Sequence, residues 1–400
     1  MERRDLFRQT GAFLAAASTL AIPLMAENAL AAAVPDSSDT TISLAPGAGP
    51  IPPLPPIDAK IDRITGVYAG TRPFRHQGPR IELERLGRKV IVHNYGHGGA
   101  GWSLSWGSSK LALDLALTTG ERRLAIIGCG ALGLTSALLA QRAGLLVRIY
   151  AKALPPDVSS ISATGLWTPD SRFCSAEHAP AQATRWKEMA TTSFAAYQNL
   201  MGLPGKPIEW ITGYALSDTP FTTRPSPIPD EPEYGELRDR QNDFTPQPVA
   251  IERGSHPFPT PFVRRWTTMM FNVSAYAHLL MADFLRAGGK VQVCEFKHPR
   301  ELQKLPERTI INATGYGARA LFDDKSVIPV RGQTARLVPQ PEVTYGLSTK
   351  QFLVVPRSDG LLVQDIDETG NFNNADESPS RSESERTVRQ LAALTANFRK

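Results

Sequence analysis

The sequence predicts an α/β fold, and three stretches carry that expectation. Leu124 to Tyr150 reads as strand, glycine turn, helix and strand. Ser274 to Ala287 has the pattern of a helix, followed by the turn Gly288-Gly289 and an extended run from Lys290 to Phe296. Arg308 to Ala313, RTIINA, has the pattern of a buried strand and runs into Thr314-Gly315-Tyr316-Gly317-Ala318. Strands and helices alternating in this way build a sheet covered on its faces.

Taken in chain order, residues 1–31 read as an export signal. Arg3-Arg4, with Asp5, Leu6 and Phe7 behind them, precede an apolar run from Gly11 to Leu24, and Ala29-Leu30-Ala31 makes a small-x-small cleavage site. The paired arginines suggest the twin-arginine export machinery, with an ordinary secretory signal or an uncleaved anchor as alternatives. The expected location is periplasmic or secreted. The run is too short and alanine-rich for a stable membrane span. Its removal takes three acidic and three basic residues, so the net charge of +5 is kept. Residues 32–56 carry seven prolines among Ala, Ser, Thr and Gly and read as an extended tether, with the folded protein beginning near Ile57.

His93 to Gly107, HNYGHGGAGWSLSWG, sets five glycines among aromatic and hydroxyl side chains, as a loop shaped to a flat ligand would. The helix behind it carries Leu104, Leu111 and Leu115 on one face and points its N-terminus back at the loop. His93 and His97 are read as packing or hydrogen-bonding residues of the loop rather than catalytic ones. Gly128, Gly130 and Gly133 then form G-x-G-x-x-G between strand and helix. The first glycine makes the turn, the second lets the backbone reach a pyrophosphate, and the third lets helix pack on strand. The helix N-terminus, at Ala131 and Leu132, offers amide hydrogens and a positive dipole to phosphates. This is a Rossmann-like dinucleotide-binding unit with one part missing. The acidic residue expected to hold the ribose is replaced in Tyr150-Ala151-Lys152. Either other groups hold the ribose, with Ser159 and Ser160 as candidates, or Lys152 pairs with a 2′-phosphate and the ligand is NADP; a solvated lysine is the plain alternative.

Pro220 to Pro261 reads as a long irregular insertion, and loops of this kind often cover a site. Its Arg224, Arg238, Arg240 and Arg253 are candidates to meet an acidic side chain, or are solvated. The three cysteines, Cys129, Cys174 and Cys294, have no metal spacing; free thiols are expected, with a Cys174–Cys294 bridge as the alternative. At 400 residues, 42% hydrophobic and 21% charged, the chain can bury a sizeable core. No run of Lys or Arg interleaved with aromatics would track a nucleic acid.

These stretches resemble the D-amino acid oxidase and D-aspartate oxidase family over nearly all of the chain after about Ile57. The resemblance rests on His93-Asn94-Tyr95-Gly96-His97-Gly98-Gly99 with Gly101, Ser103 and Trp106-Gly107, on the Gly128 turn, and on Gly165-Leu166-Trp167-Thr168-Pro169. It extends to Ile311-Asn312-Ala313-Thr314-Gly315, Arg331-Gly332-Gln333, Val354-Val355-Pro356 and Gly70-Thr71-Arg72-Pro73-Phe74-Arg75. The order differs: the family's chain opens with the dinucleotide turn and closes with the substrate arginine and flavin loop, which stand first here. The resemblance therefore implies a circular permutation, the old ends joined through Thr118-Thr119-Gly120-Glu121 and new ends near Ile57 and Lys400.

By resemblance, residues 57–75, 168–265 and 331–400 form an α+β substrate domain on a mostly antiparallel sheet, and 76–167 with 266–330 form the FAD-binding domain. FAD would lie against Gly98, Gly99, Gly101, Trp102 and Ser103, the turn Gly128 to Gly133, and Ser159, Ser160, Ala163, Gly165 and Leu166. A helix end at Ser103 would stabilise the reduced ring. Arg72 would grip a carboxylate with two parallel bonds, and the Gly99 carbonyl would receive the substrate ammonium. The implied reaction turns D-amino acids into 2-oxo acids, ammonia and hydrogen peroxide, with dioxygen as electron acceptor. One departure stands out: the family's carboxylate-binding tyrosine is replaced by Leu353, and its hydroxyl is either supplied by a neighbour such as Tyr345 or lost to a different substrate. An FAD dehydrogenase or amine oxidase of another small substrate, and a flavin-binding protein without turnover, are the other readings. A homodimer is left open.

Overall fold

The computed structural model describes residues 51–221, 230–237, 244–366 and 369–398. The signal segment, most of the tether, and Arg224, Arg238 and Arg240 lie outside the described residues. The chain begins with β1 (Ile64–Phe74), β2 (Arg80–Leu86), β3 (Lys89–Tyr95) and helix α1 (Gly101–Leu117). Then come β4 (Arg123–Ile127), α2 (Ala131–Arg142), β5 (Leu146–Ala151), α3 (Ala179–Gln198), β6 (Ile208–Ser217), β7 (Val249–Ile251) and β8 (Phe262–Phe271). Helix α4 (Val273–Arg286) leads into β9 (Lys290–Val293), α5 (Pro299–Leu302), β10 (Thr309–Asn312) and α6 (Ala318–Leu321). The last elements are β11 (Ile328–Leu337), β12 (Tyr345–Ser348), β13 (Phe352–Arg357), β14 (Gly360–Asp365) and α7 (Arg381–Ala396).

Two sheets result. The first has the order β2-β3-β10-β4-β5-β9. Its strands run parallel from β3 to β9, and β2 closes on β3 as an antiparallel hairpin. A central parallel strand must be apolar on both faces, and β4 meets that demand: Leu124 and Ile126 face the core under α1 and α2, while Ala125 and Ile127 face Leu302 on the other side. Helix α2 stops at Gly144, whose φ of 80° is the left-handed turn that releases a helix into the next strand. The α/β expectation holds, with β4, α2, β5, α4, β9 and β10 all where the sequence places them to within a few residues.

The second sheet has the order β1-β11-β14-β13-β12-β6-β8-β7 and is antiparallel except between β12 and β6. In the β1–β11 pair Gly70 faces Gly332 and Arg72 faces Val330. Helix α7 covers one end, burying Val388 and Leu391 against Leu337, Val354 and Leu361. Ile51 and Leu54 pack against the same cluster as Phe398, so residues 51–56, tether-like by composition, lie on the fold. All three cysteines are free thiols, and the alternative Cys174–Cys294 bridge does not form. Among the described residues no helix is long and apolar enough to cross a membrane.

Candidate active site

Helices α1 and α2 both begin at the wall of one cavity of about 1510 Å³, larger than a site for a single small ligand. Neither N-terminus is capped by a side chain. Their open amide groups and positive dipole ends therefore converge on the same space, a setting for anions. Of the residues singled out in the sequence, Arg72, Gly98, Gly99, Gly101, Trp102, Ser103, Gly128, Gly130, Ala131, Leu132, Ser159, Ser160, Ala163, Gly165 and Leu166 line this cavity. Gly133 does not; a Cβ there would run into the Gly128 carbonyl, so its task is the contact of α2 with β4. Gly128 has φ 107°, and a Cβ on it would stand 2.5 Å from the Ala313 oxygen. The turn is thus pinned between β4 and the end of β10, which the sequence pairs through Ile311-Asn312-Ala313.

The glycine-rich loop is tied to the segment after β5 by hydrogen bonds. Trp102 Nε1 donates to the Ser160 carbonyl at 2.7 Å, and the Thr168 amide donates to Ser103 Oγ at 2.9 Å. Below the loop, Ser108 Oγ donates to Asn94 Oδ1 at 2.6 Å and stands 2.7 Å from His97 Nε2. Since the serine proton is committed to Asn94, His97 Nε2 carries the hydrogen of that ring. Burial, then the Arg75 charge, lower its pKa to about 3, so His97 is neutral. His93 lies outside the cavity lining, 3.0 Å from Glu84 and 3.1 Å from Asn312.

Arg72 projects from β1 over Gly332 of the neighbouring strand, where a Cβ would come within 2.6 Å of the guanidinium carbon. It is half-buried, donates from Nη1 to the Arg331 carbonyl at 2.8 Å, and pairs with no carboxylate among the described residues. Desolvation, followed by the charge of Arg172, lowers its pKa to about 9; the group remains a cation at neutral pH.

Three residues near Arg72 went unnoticed in the sequence. Arg172, in the left-handed region at φ 48°, also lines the cavity. Its guanidinium lies 5.2 Å from the centre of the Tyr234 ring, and Nη2 is 3.9 Å from Glu231 Oε2. Glu231 and Tyr234 come from the Pro-rich insertion, which returns to the site by pairing with Cys174 to Ala176: the Gly235 amide donates to the Cys174 carbonyl at 2.9 Å and Ala176 to Glu233 at 2.8 Å. The only sequence signal was the length of the insertion. Tyr345 is not the neighbour that supplies a hydroxyl at Leu353, because its Oη donates to the Pro55 carbonyl in the cluster beneath α7. Leu353 itself lines the cavity. Arg253 stands away from it, beside a smaller pocket at β7 and β8.

At the far end, Lys152 lines the cavity together with Glu295. The two strands are joined there by the Cys294 amide, which donates to the Ala151 carbonyl at 2.9 Å. An acidic group is thus present one strand away from the position where the sequence lacks it.

A family model described as FAD dependent oxidoreductase, the DAO family, matches residues 123–399. The chain belongs to this family. The oxidoreductase is 25% identical over 290 residues to a D-amino-acid oxidase of Rubrobacter xylanophilus, covering 69% of this chain and 78% of that one. It is 23% identical over 310 residues to a D-amino-acid oxidase of Dictyostelium discoideum, covering 69% and 74%. Among solved structures, a glycine oxidase from Bacillus cereus superposes with a TM-score of 0.48 at 13% identity, over 70% of this chain and 83% of that one. FAD is the cofactor of the oxidoreductase, which removes the NADP alternative raised by Lys152. The residues present suit it: two uncapped helix ends face the cavity and Gly128 allows the backbone close approach that a pyrophosphate needs.

Proposed function

We propose that this oxidoreductase oxidises D-amino acids at the α-carbon, yielding imino acids that hydrolyse to 2-oxo acids and ammonia, with dioxygen reduced to hydrogen peroxide. The observation that carries this reading is Arg72, a half-buried guanidinium on the cavity wall whose one hydrogen bond among the described residues is to a backbone carbonyl. A desolvated cation without a carboxylate is costly, and an incoming carboxylate offsets that cost. The planar fork fixes the carboxylate through two parallel bonds and with it the position of the α-hydrogen. The Gly99 carbonyl takes an N–H of the substrate amine. His97, neutral and hydrogen-bonded to Ser108, offers no acid to the reaction. FAD, when bound, supplies a two-electron acceptor; the open N-terminus of α1 favours negative charge beside it.

In this reading the six-stranded sheet with α1 and α2 holds the flavin and the eight-stranded sheet presents the substrate. Glu295 stands in for the missing ribose-binding acid. The reading also includes a circular permutation, which has three supports. The family match starts at Arg123, although β1, β2, β3 and α1 precede it and complete both sheets. Phe398 packs against the same cluster as Ile51 and Leu54. The junction between α1 and β4 is a short turn with Gly120 at φ 70°. Export through the twin-arginine machinery to the periplasm or beyond completes the proposal and rests on residues 1–31.

The test is anaerobic: load the protein with FAD and follow the absorbance of oxidised flavin as D-amino acids, then L-forms, are added. Bleaching by D-forms alone is expected. Bleaching by L-forms to the same extent, or flavin that no amino acid bleaches, would remove the D-amino acid assignment.

A further inference from the structure

Leu353, where the hydroxyl of a tyrosine is missing, is in register with Gln364 of β14, and Gln364 is in register with Thr334 of β11. Residues directly opposite one another in antiparallel strands share a face. All three line the cavity, and so does Gly332, two residues from Thr334 on the same face and directly under the guanidinium of Arg72. The row therefore leads from Leu353 towards Arg72, with Gln364 in its middle. Gln364 and Gly332 are diagonal neighbours across β11 and β14, positions about 7–8 Å apart and within reach of long side chains. Gln364 is also oriented. It is 6% exposed, and the hydroxyl of Thr164, next to Gly165, donates to its Oε1. The half of the amide left over is Nε2, whose two N–H groups have no acceptor among the described residues. Thr334 Oγ1, beside it, is buried and has no partner among them either. A desolvated donor without an acceptor is costly, and a ligand atom that accepts from it offsets the cost. The row itself supplies no such atom: Leu353 is apolar, Gly332 has no side chain, and Arg72 is itself a donor.

We infer that Gln364 takes the place of the hydroxyl lost at Leu353: its Nε2 donates to an oxygen of the substrate carboxylate held by Arg72, and Thr164 positions the amide for it. The inference rests on the proposed function, since it concerns the same carboxylate. Two parallel bonds to a guanidinium use half of the lone pairs of a carboxylate, which leaves acceptor sites for a third donor. A tyrosine at 353 that leaned towards Arg72 would lie across Gln364, so this wall has room for one donor or the other. The amide adds orientation without adding charge. It reads the carboxylate, and the side chain of the substrate does not enter.

The experiment uses the FAD-loaded protein and two readouts. The first is the binding of butyrate and of its uncharged analogue butyramide, read from the perturbed spectrum of oxidised flavin; the second is anaerobic bleaching by D-alanine. Gln364→Met, close in size but without the donor, should weaken butyrate by at least about tenfold. Butyramide affinity, FAD affinity and melting temperature should stay as they are. In bleaching, the D-alanine concentration for half-maximal rate should rise far more than the limiting rate falls. Gln364→Gly should lose butyrate in the same way, and adding Leu353→Tyr to it should regain most of the loss, a rescue that a purely structural role for Gln364 does not predict. If Gln364→Met does not hold FAD, Gln364→Glu keeps the shape and the acceptor for Thr164 while replacing the donor by an anion; butyrate should then be lost and butyramide kept. Butyrate affinity unchanged in Gln364→Met or Gln364→Glu overturns the inference, and bleaching by D-alanine alongside it leaves D-amino acid oxidation standing. Weakened FAD with butyrate unchanged also overturns it, and makes Gln364 a flavin contact. Butyrate lost in Gln364→Gly and regained with Leu353→Tyr, in a protein that no amino acid bleaches, keeps the carboxylate contact and removes the proposed function.

Discussion

The two ends of the cavity are built by different means. At the dinucleotide end, Gly128, Gly130, Gly133 and the start of α2 are contiguous in the chain, and the backbone itself makes the site. At the other end, Arg72, Arg172 and Gly332 line the cavity from three segments, with Glu231 of a fourth against Arg172, and side-chain charges make the site. The first depends on a local turn whose geometry allows no side chain at Gly128 or Gly133. The second depends on which strands become neighbours. Damage should therefore differ in kind: loss of fold and cofactor at one end, loss of substrate with the fold intact at the other.

The largest effect is expected from Gly133→Val. The added side chain meets the Gly128 carbonyl, which is backbone and cannot yield, so α2 must move away from β4. Overpacking of this kind costs about 3 kcal/mol, and thermal denaturation together with FAD retention on gel filtration should both report it. Unchanged melting would mean that the turn is not the rigid element described.

Arg72→Leu should lower kcat/KM by two to three orders of magnitude, roughly 3–4 kcal/mol, as expected for truncating one partner of a buried charge pair. Melting temperature and FAD affinity should hold or rise, because a desolvated charge with no carboxylate partner among the described residues has been removed. If FAD is lost as well, the contrast between the two ends fails.

Gly332→Ala sharpens the contrast. The atoms nearest to the new methyl belong to the flexible end of Arg72, so the fold adjusts, but the guanidinium leaves its place. KM should rise by about tenfold, equivalent to about 1.4 kcal/mol, while stability stays within about 0.5 kcal/mol. A matching fall in stability would show that the side chain at 332 matters to the sheet rather than to Arg72.

Glu295→Gln should have the smallest effect. Glu295 is exposed at the rim of the cavity, so the loss of one charged acceptor for the ribose should weaken FAD by about fivefold, near 1 kcal/mol. Titration of the apoprotein with FAD by flavin fluorescence reads it. Affinity that is unchanged in Glu295→Gln and lowered in Ser159→Ala or Ser160→Ala would move the ribose contact to the serines.

The same contrast decides what was legible beforehand. The strand, turn and helix at Leu124 to Ala143 could be read because periodicity and glycine spacing are properties of neighbours in sequence. The resemblance reached Arg72 and the glycine-rich loop through their motifs, and the fold brings both to one cavity. Tyr345 was a poor candidate for the missing hydroxyl because proximity in sequence to Leu353 does not tell which face of the sheet a strand residue takes. Arg172 and Glu231 carried no motif, and their meeting is a consequence of the insertion pairing with Cys174 to Ala176.

By itself the sequence determined the α/β class, the dinucleotide turn, and the chemical types available to a substrate: a guanidinium, a glycine-rich loop and two helix ends. Only the tertiary structure decided that Arg72 lies over Gly332 with no carboxylate partner among the described residues, that Arg172 lines the same cavity, and that Glu295 reaches the rim with Lys152. Local turns are set by the dihedral freedom of a few consecutive residues. A pair of charges in a shared cavity is set by sheet order and loop return, which consecutive residues do not encode.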